Sequence, residues 1–212
     1  MAAAKLTVMG GFRVRRAVPE DVPAIASLHL SSYRAAYRGL LPADFLRSLD
    51  LAERERRWLS SIRDPARVTF VAESAGADAA QATGPIGLAE VGPARDADAP
   101  DGGGELYALH VSQACWRRGI GRSLHDHGLE VLAARGCPSA TLWVLTGNAP
   151  ARAFYQALGW NADGCERHRV LRGAAIDEVR YALPARANAR RIRAATPAGS
   201  SCNCFQVNRT IS

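Results

Sequence analysis

Residues 105–136 constrain the fold more than any other part of the chain. There a strand pattern, ELYALHV (105–111), runs through a short loop into GIGRSLHDHGLEVLAARG (119–136), which has the apolar spacing of a helix and ends on a glycine. A strand feeding a helix in this way requires a sheet for the helix to pack on, so the chain is α/β. Gly119 and Gly121, two apart, let the backbone turn sharply and leave the N–H groups of the first helical turn facing outward. Unpaired donors at the positive end of a helix favour an anion such as a pyrophosphate without any charged side chain. Two commoner phosphate motifs do not fit: a dinucleotide fingerprint would place a third glycine where Leu124 stands, and a P-loop would need GxxxxGK followed by Ser or Thr. Within the strand, Leu106 and Ala108 share one parity while Leu109 and Val111 share the other. That phase slip implies burial on both faces or a β-bulge, and a bulge would splay the strand from a neighbour and free backbone groups for a ligand.

The rest of the chain supplies the other layers. FRVRRAV (12–18) alternates as a half-exposed strand, and Pro19, Glu20 and Asp21 open a helix running through Leu30. Residues 31–49 predict a second helix broken at Gly39 and Pro42, and 54–62 complete that helical region. Strands are expected at 68–73, 86–91 and 140–145, a helix at 149–159 capped by Asn148 and Gly159, and a closing hairpin over 167–183 that turns at 173–175. The segment GPARDADAPDGGG (92–104) has no core-forming residue and is expected to be a mobile surface loop. This gives an N-terminal extension (1–11), one domain (12–184) and a basic C-terminal tail (185–212) expected to be disordered.

With these segments in place, residues 12–183 resemble the GNAT superfamily of N-acetyltransferases, whose signature is a strand leading into Q/R-x-x-G-x-G/A and a helix. The signature falls on Trp116, Arg117, Arg118, Gly119, Ile120 and Gly121, with tryptophan at the first position. TLWVLTGNAPARAFYQALGW (141–160) is similar to the family's strand, loop asparagine, helix and tyrosine. The resemblance implies a mixed, mostly antiparallel sheet with a splayed central strand pair, flanked by helices, and acetyl-CoA as acyl donor. It also implies cofactor contacts from Leu109, His110 and Val111 to the pantetheine arm, from the backbone of Arg117, Arg118, Gly119, Ile120, Gly121 and Arg122 to the pyrophosphate, and from Asn148. Tyr155 matches the family tyrosine that lies near the cofactor sulfur.

Acetyl transfer to an amine needs a neutral nucleophile, a polarised carbonyl and a proton for the departing thiolate. An amine of pKa ~10.4 is neutral in only about one molecule in 2,500 at pH 7, so a base or a water relay must take its proton. Glu105, at the start of the central strand, is the first candidate and Glu90 the alternative; each also reads as a solvated strand-end carboxylate. Tyr155 is the expected general acid, and a backbone N–H near Leu109 to Val111 is expected to polarise the carbonyl. His110 is a minor candidate for a proton relay. His125 and His127 point to different sides of one helix and are expected on its surface, and no metal site is expected. By resemblance the acceptor is framed by Tyr33, Tyr37, Asp44, Phe45 and His168, a set that suits a cationic amine; small-molecule amines and protein amines both stay open, as does a homodimer.

Composition narrows the classes further. The formal charge is +7, but the tail carries Arg186, Arg190, Arg191, Arg193 and Arg209 with no acid, leaving +2 on the first 184 residues. A nucleic-acid surface is therefore not the expected use of this charge. No apolar run approaches the ~18 residues of a membrane span. The opening MAAAKLTVMGGFRVRR lacks the layout of a secretory signal, which makes the cytoplasm the expected location. Five cysteines, an odd number, read as reduced thiols, and Cys202 and Cys204 have no second pair to complete a zinc site. The expected function is an N-acetyltransferase; the competing reading is a non-catalytic module that binds acyl-CoA as a sensor or scaffold.

Overall fold

A computed structural model describes residues 7–9, 11–75 and 84–184. Eight strands form one sheet in the order β1-β2-β3-β4-β5-β6-β8-β7. They are β1 (Thr7–Met9), β2 (Phe12–Arg16), β3 (Val68–Ser74), β4 (Pro85–Pro93), β5 (Gly104–Val111), β6 (Ser139–Leu145), β7 (Asn161–Leu171) and β8 (Ala174–Pro184). Every pairing is antiparallel except β5 with β6. Among the described residues five α-helices accompany them: α1 (Val22–Ala36), α2 (Ala43–Arg47), α3 (Leu51–Arg63), α4 (Ile120–Ala134) and α5 (Ala149–Ala157).

Among the described residues three apolar clusters form, two of them on opposite faces of the sheet and a third joining Leu30, Phe45 and Leu46 to Leu145 and Ile176. On one face, Ile120, Leu124, Leu129 and Leu132 of α4 pack on Phe70, Ala89, Val91 and Leu106, and the cluster extends to Trp160 and Tyr181. On the other, Ile25 and Leu28 of α1 and Trp58 of α3 pack on Val71 and Leu88. Burying each of these large side chains contributes roughly 1.5–3 kcal/mol, enough to fix both helix layers against the sheet. The approach of α4 is close. A Cβ on Gly128 would lie 2.8 Å from Val91, and one on Gly104 would lie 2.8 Å from Leu132, so glycine on each side sets how near the helix sits. That proximity sets the N-terminus of α4 at the parted end of the junction of β5 and β6, where a Cβ on Gly121 would lie 3.7 Å from Val111 and 3.5 Å from Phe154.

The junction is where the sheet opens. β5 and β6 are paired only at Gly104 with Ala140 and Glu105 with Thr141, after which the strands diverge. On its other edge β5 pairs with β4 through a register shift: Glu90 lies opposite Ala108 and Val91 opposite Leu106, leaving Tyr107 as the extra residue. The phase slip in ELYALHV is this bulge.

Three expectations are corrected. Residues 92–104 do not form a loose loop: Asp96 accepts from the Trp143 indole at 2.9 Å, and Arg180 donates to Asp98 at 2.6 and 2.7 Å, tying the segment to β6 and β8. A run without apolar residues is held here by charge. The broken helix expected over 31–49 is instead an extension of α1 to Ala36 followed by the five-residue α2. Residues 7–9, placed in an N-terminal extension by the sequence reading, add a strand beside β2. The tail at 185–212 lies outside the described residues.

Candidate active site

β5 divides the site into two sides. Leu109 and Val111 pack with the α4 cluster, whereas Ala108 packs with the cluster of α1 and α3.

On the α4 side the geometry comes from backbone. Arg117 and Gly119 both take positive φ, 60° and 81°, and Gly119 caps α4. The left-handed turn at Gly119 is the reason for glycine there, since a Cβ would meet no atom within 4 Å and space is not the constraint. The first intrahelical bond is donated by Ser123 N–H to Gly119 O at 3.0 Å, so the N–H groups of the preceding turn have no partner within the helix. Trp116, where the signature expects Gln or Arg, is 47 % exposed and donates its indole N–H to Val111 O at 2.9 Å. It fastens the loop to the end of β5, a structural job that leaves the anion site to main-chain donors. Such a set fits a pyrophosphate: outward N–H groups, a glycine with open space before it and the positive helix end.

Across the gap from this loop stands α5. The buried Asn148 caps it, with Oδ1 accepting from Ala151 N–H at 3.2 Å. A Cβ at Gly121 would lie 3.5 Å from Phe154, which brings the two helix starts together. Tyr155 follows, its ring edge-on to Phe154 and Trp160 at 5.3 and 6.3 Å. Burial raises the Tyr155 phenol well above its ordinary pKa, so it keeps its proton through the neutral range. Among the described residues its hydroxyl has no hydrogen-bond partner.

On the α1 and α3 side a cavity of about 340 Å³ opens against the bulge, with Tyr107, Ala108 and Glu90 on the sheet and His29, Arg54, Arg57 and Trp58 on the helices. Glu90 is only 5 % exposed and lies 3.4 Å from Arg67. His29 accepts the Trp58 indole hydrogen at Nδ1 (3.0 Å) and stacks on His110 with centroids 4.5 Å apart. Burial is the main cause that lowers both imidazoles, with nearby positive charge adding to it: His110 is pushed down to about 4, and His29 well below its usual value. Both are neutral at pH 7. Since Nδ1 of His29 accepts, its hydrogen is on Nε2.

The structure therefore separates the two candidate carboxylates. Glu105 is 1 % exposed, and Arg95 takes both its oxygens, donating from Nε at 3.0 Å and from the backbone N–H at 3.1 Å to Oε2 and from Nη2 at 2.5 Å to Oε1. It is a fixed counter-ion at the closed end of the β5–β6 gap. Glu90 faces the cavity. The expected acceptor frame is also corrected: Phe45 is core, Asp44 pairs with Arg47 in solvent, and His168 pairs with Asp177 at 2.8 Å on the exposed hairpin. Tyr33 and Tyr37 pack on that same core, and Tyr33 borders the cavity through Arg54, whose guanidinium sits 5.5 Å from its ring. His125, expected on a helix surface, is fully buried, accepting from the Trp160 indole at 2.9 Å and touching Asp126 at 2.8 Å; His127 bonds Ser123 O. The arginines and His29 were missed. Their only signal was the spacing of Arg54, Arg57, Trp58 and Ser61 on one stripe of α3, which reads equally as an exposed helix face.

Residues 28–160 match the Acetyltransferase (GNAT) family. An uncharacterized N-acetyltransferase of Bacillus subtilis (strain 168), YuaI, is 35% identical over 144 residues, 68% of this chain and 77% of that protein. The probable N-acetyltransferase Rv2775 of Mycobacterium tuberculosis is 30% identical over 184 residues, 81% of this chain and 92% of the relative. Among solved structures, the PaiA N-acetyltransferase of Thermoplasma acidophilum in complex with coenzyme A superposes with a TM-score of 0.61 at 18% identity, covering 79% of this chain and 97% of that one.

Proposed function

Given that the chain belongs to the GNAT acetyltransferase family and is an acyltransferase, we propose that it transfers the acetyl group of acetyl-CoA to a primary amine by direct attack in a ternary complex. The observation that carries this reading is the two-sided site at β5: main-chain donors on the α4 side, and a cavity holding a carboxylate on the other, with the sheet parted between them.

Acetyl-CoA brings the thioester, and the protein does the rest. The N–H groups of Arg117 to Arg122 hold the pyrophosphate, and the edge of β5 freed by the splay, at Leu109, His110 and Val111, pairs with the pantetheine arm. Asn148 fixes the start of α5 and so the position of Tyr155. A β5 N–H beyond the bulge donates to the thioester oxygen, where negative charge develops.

Glu90 takes the proton of the incoming ammonium, directly or through one water. Glu105 cannot serve in that role while Arg95 occupies both of its oxygens. As the amine nitrogen bonds to the acetyl carbon and the carbon–sulfur bond breaks, Tyr155 donates its phenol proton to the thiolate; the second proton that the nitrogen sheds on becoming an amide restores the phenol through water, and Glu90 releases the first to solvent. The phenol is protonated when the step begins, and what draws its proton off is the strongly basic thiolate that forms as the carbon–sulfur bond breaks.

Two measurements on the full chain test the reading: acetyl-CoA binding by calorimetry, and thiol release against a broad amine panel. Binding together with amine-dependent release is expected. Absence of acetyl-CoA binding ends the proposal, and binding without release from any amine leaves the sensor reading.

A further inference from the structure

The cavity on the α1 and α3 side is positively charged beyond what its own carboxylates balance. Four guanidinium groups line it, from Arg54, Arg57, Arg67 and Arg95, against the carboxylates of Asp64 and Glu90. Two of the four are accounted for. Arg95 is paired with Glu105 and lies over Tyr107 with 4.2 Å to the ring centroid. Arg67 sits between Asp64 at 3.3 Å and Glu90 at 3.4 Å. Arg54 and Arg57 are in no ion pair among the described residues. Arg54 is partly buried, its contact being the face of Tyr33 at 5.5 Å. Its pKa is lowered by burial first and by Arg57 second, the signature of a cation held beside another cation away from water. The same charge reaches the histidine pair, where Arg54 helps to keep His29 and His110 neutral.

Building on the acetyltransferase reading, we infer that the acceptor is a small amine carrying an oxyanion, a carboxylate, phosphonate or phosphate, which Arg54 and Arg57 bind while the amine is turned toward Glu90 and the bulge. Guanidinium matches such groups in shape as well as charge, with two parallel N–H donors for two oxygens. A cavity of about 340 Å³ is the size of a small-ligand site. The arginines serve the chemistry twice, since a positive field also lowers the pKa of the bound ammonium and raises its neutral fraction. A polyamine suffers from both effects, because its second charge meets Arg54 and Arg57, and the cavity's two carboxylates, Asp64 and Glu90, already face Arg67. The aromatic and acidic frame that suggested a cationic acceptor is replaced by this arginine pair.

Thiol release from acetyl-CoA is compared across amines matched in length: 4-aminobutyrate, butylamine and 1,4-diaminobutane; O-phosphoethanolamine and ethanolamine; and a peptide with a free N-terminus, an amidated C-terminus and no acidic residue. The oxyanion members are expected to exceed their neutral and dicationic partners at least tenfold in kcat/KM. Comparing 4-aminobutyrate with O-phosphoethanolamine separates carboxylate from phosphate. Arg54→Gln is expected to raise KM for the preferred oxyanion ~10- to 100-fold, the worth of a charge-assisted pair, with acetyl-CoA affinity unchanged. Arg57 is exposed, so Arg57→Glu provides a variant with little risk to folding, and it should shift preference toward the diamine. Equal or better turnover of butylamine, the diamine or the peptide overturns the inference while leaving the acetyltransferase reading intact. Should no amine react although acetyl-CoA binds, calorimetry of 4-aminobutyrate and O-phosphoethanolamine with the CoA-loaded protein decides, and no heat from either overturns it. Loss of acetyl-CoA binding itself would instead refute the underlying reading.

Discussion

The two sides of β5 are built from different materials. On the α4 side the working groups are main-chain N–H donors, a left-handed glycine and one tyrosine, all within residues 109–155. On the α1 and α3 side they are side chains from α1, α3, β4 and β5, and the stretch from His29 to Ala108 is needed to assemble them. Backbone donors serve a ligand part common to every turnover, such as a pyrophosphate, whereas side chains can be exchanged without disturbing the fold. A scaffold can thus keep its donor side and vary its acceptor side.

The contrast between Glu90 and Glu105 should produce the largest effect. Glu90→Gln is expected to lower kcat ~10²- to 10⁴-fold with acetyl-CoA affinity retained, the range for a positioned acid or base. Glu105→Gln should instead lower the thermal midpoint and leave turnover within about threefold, because it removes the partner of Arg95 from the closed end of the gap. The reverse pattern would return the base to Glu105. On the donor side, Tyr155→Phe is expected to reduce kcat about a hundredfold while calorimetry finds the same acetyl-CoA affinity. Unchanged turnover would remove the phenol from the chemistry.

A smaller change comes from Gly119→Val, which forces a branched side chain into a backbone of φ 81°. The left-handed region costs roughly 1–2 kcal/mol for a residue with a Cβ, so acetyl-CoA affinity should fall about tenfold while the acceptor KM is unaffected. Equal loss on both sides would show that the two halves are less independent than their construction implies. The smallest effect concerns His110, whose pKa is pushed down to about 4 from an ordinary 6.5. Between those values the unfolded chain binds a proton that the folded one does not, so stability falls as pH drops through that window and gains nothing from His110 above it. Urea midpoints of the wild type and His110→Gln should converge at the acid end of the window, and parallel curves would mean that His110 is not the buried neutral group.

The strand, turn and helix of residues 104–134 were legible because they follow local rules: an alternating pattern, a glycine at a left-handed cap, apolar residues on one helix face. The phase slip left two readings, burial on both faces or a bulge, and the register shift between β4 and β5 selects the bulge, since a residue inserted into one strand reverses the facing of all those after it. What escaped was long-range pairing. Glu105 looked like a free strand-end carboxylate until Arg95 folded back on it, and residues 92–104 looked loose until Arg180, far along the chain, gathered Asp96 and Asp98. His125 read as helix surface because its partner, the Trp160 indole, is thirty-five residues away.

The sequence by itself determined the backbone of the α4 side, because the left-handed turn and the helix start there are dictated by a few neighbouring residues. Only the tertiary structure decided the cavity on the α1 and α3 side. Arg54 and Arg57 lie on a helix whose charged stripe would ordinarily face water, and their meaning depends on packing against a bulge fifty residues later, where they make no ion pair among the described residues. Local propensity is written residue by residue, but the sign of the field in a cavity depends on every charge the fold brings to it.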